Sequence, residues 1–273
     1  MDLTTSAELS NGVKMPWLGF GTWQVFDHNV AKESVLKALE TGYRHIDTAA
    51  LYKNEKAVGE AIKESGVARE EIFLTTKLWN SDHGYEKALK AFDVSMQKLG
   101  VGYLDLYLIH WPKPQNRETW KAFGKLYDDK VIRAIGVSNF LQHQLEDLIA
   151  GSEIKPMVNQ IEFHPYLVQP ELLKYCAEQN IQVEAWSPIM QGKINEVPLL
   201  SELAKKYGKS PAQIVLRWDI QMNVITIPKS VHANRILENS QIFDFELSQE
   251  DVDKISALDK FERLGPDPGN FDF

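Results

Sequence analysis

What most limits the fold of this chain is a strict alternation of two patterns. Short apolar, β-branched runs fall at 18–21, 44–47, 72–78, 104–110, 134–138, 158–162, 182–186 and 224–228. Between them lie stretches with a helical period, at 31–41, 55–64, 85–99, 117–128, 141–150, 171–179 and 211–222, with 234–241 and 249–259 after the last run. Strand and helix in regular turn predict parallel strands joined by helical crossovers. Several runs, such as Leu104 to Ile109, are apolar on both faces, as a sheet covered by helices requires.

Eight such units leave two architectures, an open doubly wound sheet and a closed barrel. The open sheet normally carries a glycine-rich phosphate turn after its first strand. Gly19-Phe20-Gly21 begins like one, but Gln24 stands where the third glycine belongs. The expectation is therefore an α/β fold, a parallel (β/α)8 TIM barrel, with residues 1–273 forming one domain of ordinary size for that barrel. Asn11-Gly12, set between alternating residues, predicts an N-terminal β-hairpin. The segment 249–259 reads as an added C-terminal helix, with Ser248 and Asp251 resembling a capping box. The tail, 261–273, mixes Gly265, Pro266, Pro268 and Gly269 with Phe261, Phe271 and Phe273. It reads either as a disordered end or as a flap with aromatic contacts over the barrel mouth.

Charge and composition exclude several classes. A net charge of −8 and a pI near 5.5 do not suit a nucleic-acid surface, which is normally basic. A single cysteine, Cys176, excludes a disulfide framework and a cysteine metal cluster; its helical surroundings suggest a core thiol. The polar start, 1–10, carries no signal-peptide pattern, and no run approaches the ~18 apolar residues of a membrane span. A cytoplasmic protein is expected, and nothing demands more than a monomer. His45, His110, His143 and His164 lack paired ligand spacing, so no metal site is expected.

Polar residues punctuate the carboxyl ends of the strand-like runs: Asp47, Lys77, His110, Ser138-Asn139, Gln160 with Glu162, Trp186-Ser187 and Lys229-Ser230. From Asp47 to Lys77 and from Lys77 to His110 the steps are 30 and 33 residues, one strand–helix unit each. In a barrel these ends converge on one rim, where active sites sit. A lysine ending an apolar strand seeks a carboxylate, and Asp47 lies one strand over. The bland alternative is that the two form only a buried ion pair. Tyr52, five residues after Asp47, can fold back over the rim. A phenol's unperturbed pKa of ~10 is high for proton donation at pH 7, and a nearby ammonium should lower it. Asp47, Lys77 and Tyr52 thus read as a tuned general acid, with a neutral His110 free to hold a substrate oxygen.

These residues sit in segments that resemble the aldo-keto reductase family over essentially the whole chain. The matching motifs run from Gly42-Tyr43-Arg44-His45-Ile46-Asp47-Thr48-Ala49 with Tyr52 and Asn54-Glu55, through Thr75-Thr76-Lys77-Leu78-Trp79 and Leu106-Tyr107-Leu108-Ile109-His110-Trp111-Pro112. They continue with Ile135-Gly136-Val137-Ser138-Asn139-Phe140, Asn159-Gln160-Ile161-Glu162-Phe163-His164-Pro165 and Ile227-Pro228-Lys229-Ser230, then Arg235, Glu238 and Asn239. The resemblance implies the barrel, an extended nicotinamide cofactor and reversible reduction of aldehydes or ketones. It implies Tyr52 as general acid, Lys77 and Asp47 as its tuners, and His110 as the group orienting the carbonyl. Ser138, Asn139 and Gln160 match the residues that hold the carboxamide, a role suited to their donors and acceptors. Trp186 stands where the family stacks a ring on the nicotinamide, often a tyrosine. Gly21, Thr22 and Trp23 fall near the nicotinamide and its ribose, and Ser187, Ile189 and Gln191 along the pyrophosphate.

Within that frame the cofactor expected is NADP(H). Lys229, Ser230 and Arg235, with Val231 between them, place two cations and a hydroxyl at the adenosine 2′-phosphate, the chemistry a phosphate calls for. Glu238 and Asn239 match residues that serve adenine. His232 replaces the small hydroxyl residue common there, which leaves room for some use of NADH. Trp23, Trp79 and Trp111 are expected to line the substrate pocket with Tyr52 and His110. The short 111–117 segment and short tail resemble compact bacterial members, close to diketogluconate and methylglyoxal reductases. An open mouth would admit small polar aldehydes, α-dicarbonyls or keto-sugars. Two rivals stand beside this reading: a Schiff-base lyase using Lys77, and a non-catalytic structural or subunit role of the same barrel.

Overall fold

The structure, a computed structural model, describes residues 1–273. It opens with a hairpin of β1 (Ser6–Glu8) and β2 (Lys14–Pro16). Leu9 O accepts from Gly12 N, and Gly12 takes a φ of 81°. The left-handed glycine therefore ends a three-residue hairpin loop rather than sitting in one of the two-residue kind. Asn11 Nδ2 donates to Arg133 O at 2.9 Å and Met15 is fully buried, so the hairpin seats against the amino-terminal end of the barrel.

Then the alternation begins. β3 (Phe20–Gly21), α1 (His28–Thr41), β4 (His45–Asp47), α2 (Glu55–Glu64), β5 (Phe73–Leu78), α3 (Tyr85–Leu99), β6 (Leu104–Ile109) and α4 (Asn116–Asp128) form the first half. β7 (Ile132–Ser138), α5 (Gln142–Ala150), β8 (Val158–Glu162), α6 (Pro170–Glu178), β9 (Gln182–Trp186), α7 (Pro198–Tyr207), α8 (Pro211–Gln221), β10 (Ile225–Thr226) and α9 (Ala233–Ser240) form the second, and α10 (Gln249–Ser256) is added at the end. The eight strands β3 to β10 pair in sequence order, all parallel. Leu18 bridges Thr226 in parallel, with Gly19 N donating to Thr226 O at 2.9 Å and Thr226 N to Trp17 O at 3.0 Å. That seam closes the ring.

Every residue of β5 and β6 is buried, as strands lined by side chains within and helices without must be. α3 buries Ala88, Phe92, Ser95 and Leu99, one stripe at helical spacing. Cys176 lies in the core, where burial pushes its thiol up to about 12.

Three local points go beyond or alter the sequence reading. The 187–210 stretch, irregular by its sequence pattern, holds α7, begun by Pro198 at its first position and ended by Gly208 in the left-handed conformation. α10 stops at Ser256 rather than 259, and its cap is only half a box. Ser248 Oγ accepts from Asp251 N, but Asp251 turns its carboxylate to Lys206 and Tyr207, so Ser248 N donates to Tyr207 Oη instead. The tail is ordered over the barrel mouth: Leu264 N and Gly265 N donate to Glu162 Oε1 at 2.6 and 3.2 Å.

Candidate active site

The catalytic candidates meet at the carboxyl ends of β4, β5 and β6. Asp47 ends β4, Lys77 projects from β5, and His110 directly follows β6. Tyr52 is brought in by a 3-10 turn, Ala50–Tyr52, followed by Lys53 at a φ of 57°. Asn54 holds that turn in place: its Oδ1 accepts from Thr48 Oγ1 at 2.7 Å and its Nδ2 donates to Thr22 O and Val25 O at 3.0 and 3.1 Å. Fully buried, Lys77 Nζ donates to Asp47 Oδ1 at 2.6 Å, Thr48 O at 3.0 Å and Tyr52 Oη at 3.3 Å. All three ammonium hydrogens are used. The Tyr52 and His110 rings meet edge to face, centroids 5.6 Å apart.

The electrostatics differ from the sequence reading at one point. Burial opposes charge on Lys77, but Asp47 and Tyr52 raise its pKa above normal, so it is an ammonium. Tyr52 is not lowered. Burial pushes the phenol up to about 12; Lys77 pulls against that and Asp47 adds to it. The sequence shows the neighbouring cation but not the depth at which both lie. Burial, aided by Lys77, drives the pKa of His110 well below its usual value, so the ring is neutral as expected.

A lysine so held is a poor amine nucleophile. Its charge is fixed and no part of it is exposed, which removes the physical basis for a Schiff base at Lys77.

Above these groups lies a cavity of about 670 Å³. Gly21, Trp23, Asp47, Tyr52, Trp79, His110 and Trp111 line it together with Ser138, Asn139, Gln160, Trp186, Ser187, Ile189 and Gln191, and so do Lys229 and Arg235. A second cavity, about 380 Å³, shares Ile189, Lys229 and Arg235 and adds Ser230, Val231, Glu238 and Asn239, with His232 beside them. Thr22 is the one cofactor candidate lining neither. It is buried and donates through Oγ1 to Asp47 O at 2.9 Å, so it supports the floor. Asn139 and Ser187 take left-handed backbone conformations, φ 65° and 53°, at the cavity wall. Such φ values are uncommon outside glycine, and for serine more so than for asparagine.

Asn139 does more than line the wall. Its Nδ2 donates to His110 O at 3.0 Å and Ser138 Oγ at 3.1 Å, while its Oδ1 accepts from Trp186 Nε1 at 2.8 Å. The indole that replaces the family's frequent tyrosine thus uses its N–H to lock its own plane.

The tail takes the flap arrangement. Phe273 lies parallel to Trp79 with centroids 5.9 Å apart, and Phe271 meets Trp111 at 5.0 Å. Lys113 and Asn80 both donate to Phe273 O. Gly265 sits so close to Trp186 that a Cβ there would lie 2.4 Å from the ring. The mouth is therefore narrower than the open one expected from loop length. Leu264 to Pro266 line the cavity without having been expected there, held by Glu162, itself one of the polar strand ends read from the sequence.

The family model described as "Aldo/keto reductase family" matches residues 17–260. A glyoxal reductase of Bacillus subtilis (strain 168) is 59% identical over 267 residues, covering 97% of each chain. The crystal structure of MGS-M4, an aldo-keto reductase from a Medee basin deep-sea metagenome library, superposes with a TM-score of 0.96 at 44% identity, covering 98% of this chain and 100% of that one. A mutant of Gox0644 in complex with NADPH gives 0.94 at 40% identity, covering 98% and 99%. Closed barrel, rim residues and whole-length similarity agree, and the chain belongs to the aldo/keto reductase family.

Proposed function

We propose that this chain reduces small polar carbonyl compounds, α-dicarbonyls and keto-sugars among them, to alcohols with NADP(H), and that Tyr52 is the proton donor. One observation carries the reading. A buried phenol stands 3.3 Å from a buried ammonium beside a cavity that two cations, Lys229 and Arg235, also line.

The residues present fit the cofactor. Burial alone lowers the pKa of Lys229, with no carboxylate to offset it, and Arg235 and Ser230 border the same space. Two cations and a hydroxyl suit a phosphate. The Trp186 plane, in the same cavity, is fixed by Asn139. Bound NADPH supplies hydride to the carbonyl carbon.

The protein's own groups handle the oxygen. His110, neutral, holds the carbonyl oxygen toward the Tyr52 hydroxyl. Tyr52 keeps its proton until negative charge develops on that oxygen, which is then far more basic than a phenolate. The proton crosses to give the alcohol, and the phenolate is left against the Lys77 ammonium, whose charge Asp47 balances. The relative from Bacillus subtilis is a glyoxal reductase, and glyoxal is an α-dicarbonyl, which supports the substrate class. Phe273 and the Trp79 and Trp111 rings favour small substrates over bulky ones.

The test is oxidation of NADPH, followed at the reduced-cofactor absorbance band, with glyoxal, methylglyoxal, a keto-sugar and a bulky steroid ketone. The small dicarbonyls should be the best substrates by kcat/KM. Equal efficiency with NADH would sink the cofactor assignment, and preference for the steroid would sink the substrate class.

A further inference from the structure

Below the reacting groups, inside the barrel, a second carboxyl group lies on β9. Glu184 is fully buried, and its Oε2 accepts from Gln160 Nε2 at 2.6 Å. The same Nε2 donates to Asp47 Oδ2 at 2.9 Å. A carboxamide nitrogen has two hydrogens, so both are taken. Gln160 lines the main cavity, and its remaining polar atom is Oε1.

We propose that Glu184 is a positioning residue of the cofactor site: with Asp47 it fixes the Gln160 carboxamide so that only its oxygen is offered to the cavity. The inference rests on the proposed NADP(H) reading, in which that oxygen accepts from the nicotinamide carboxamide.

The protonation state of Glu184 makes the arrangement workable. The charged and titratable groups facing it are Asp47 and His45 on β4, Lys77 on β5 and, more distantly, Tyr52. Lys77 is bound to Asp47 at 2.6 Å, so no cation is left for Glu184. Burial and the Asp47 charge push its carboxyl up to about 8. Burial also pushes Asp47 upward, but the adjacent ammonium makes Asp47 the ionised member of the pair. The ring nearest Glu184 Oε1 is His45, with Nε2 at 3.4 Å; burial lowers the His45 pKa to about 3, so it is neutral and adds no charge to the carboxyl. Lys77 thus faces one negative charge rather than two.

Two variants test this. Glu184→Leu removes the acceptor and leaves Gln160 free to turn; Glu184→Gln keeps shape, acceptor and neutrality. Measured by fluorescence quenching at pH 7, the NADPH Kd should rise about fivefold in E184L, the scale of one lost hydrogen bond, while E184Q should recover wild-type affinity within about twofold. A second readout is the pH profile of kcat for reduction. In the wild type it should fall as Glu184 ionises near pH 8, because the new anion disfavours charge on the Tyr52 phenol and weakens the acid. E184Q should lack that fall. Thermal melts confirm folding, and the E184Q profile remains decisive if E184L does not fold. Unchanged NADPH affinity in a folded E184L, or a wild-type alkaline fall in E184Q, overturns the proposal. Wild-type protein that binds no NADPH overturns the functional reading as well.

Discussion

Tyr52 holds its proton across the whole practical pH range, since burial outweighs the pull of Lys77 and sets the phenol at about 12. The role of Lys77 is then to limit the rise and receive the phenolate, not to bring the ground-state pKa near neutrality. Tyr52→Phe removes one oxygen from a packed ring and leaves Lys77, Asp47 and Gln160 in place. Turnover should drop by about 10²–10⁴-fold, the usual loss for a general acid, with NADPH Kd within about twofold of wild type by fluorescence titration. A tenfold weaker Kd would mean that the hydroxyl holds the cofactor rather than the proton. At this scale much is legible: Asp47, Lys77, His110 and Gln160 stand in the sequence as polar residues ending apolar runs. The direction of the Tyr52 shift is not, because a sequence displays neighbours and hides depth. Glu184 is hidden for the same reason, although an acid inside the run 182–186 is itself out of place in a strand buried on both faces.

Among the elements, helices with strong periods are legible almost to the residue. α2 and α3 fall on 55–64 and 85–99 as expected, whereas the two-residue strands β3 and β10 are shorter than their apolar runs. α7 escapes the pattern although Pro198 and Gly208 punctuate it, because the turn that precedes it breaks the period. That turn includes Gln191 and Gly192 with positive φ, a kink that no periodicity reveals. Whether the tail is a loose end or a flap depends on long-range partners: Glu162 for its backbone, Trp186 for Gly265, and Trp79 and Trp111 for its phenylalanines. Gly265→Val should lift this segment from Trp186. Steady-state kinetics with a saturating dicarbonyl should show the KM for NADPH raised about tenfold, as a displacement of about 1 Å can produce, with thermal stability nearly intact. If KM stays at the wild-type value, the strap is a bystander to the chemistry.

As a whole the molecule keeps three imidazoles neutral in its interior. Burial lowers the pKa of His45 to about 3 and His83 to about 4, and His110 falls well below its usual value. An unfolded histidine titrates near ~6.5, so below that pH the unfolded chain binds protons that the folded one refuses. The part of stability that depends on these rings is complete above about pH 6.5 and declines toward their folded pKa values. At about pH 5 each of these histidines should cost about 2 kcal/mol. Urea unfolding between pH 7 and pH 5 should therefore show a falling midpoint, and His83→Asn should make the fall shallower. Because the raised carboxyls Glu184 and Asp219 act in the opposite sense, the comparison with wild type decides: an H83N slope equal to that of wild type would contradict the burial of that ring. The barrel is legible from eight alternating runs and the missing phosphate turn, but the residues that close it are not, because 18 and 226 reveal their pairing only in three dimensions.

That junction bears on how the protein is made. Leu18 emerges early from the ribosome and must wait more than two hundred residues for Thr226, while Thr226 already pairs with Ala185 on its other side. Until then the growing polypeptide carries two bare edges able to capture any passing strand, and pairing across so long a separation is slow to form. The growing polypeptide thus passes through a vulnerable interval that ends only when the strand around Thr226 reaches Leu18 and completes the circle.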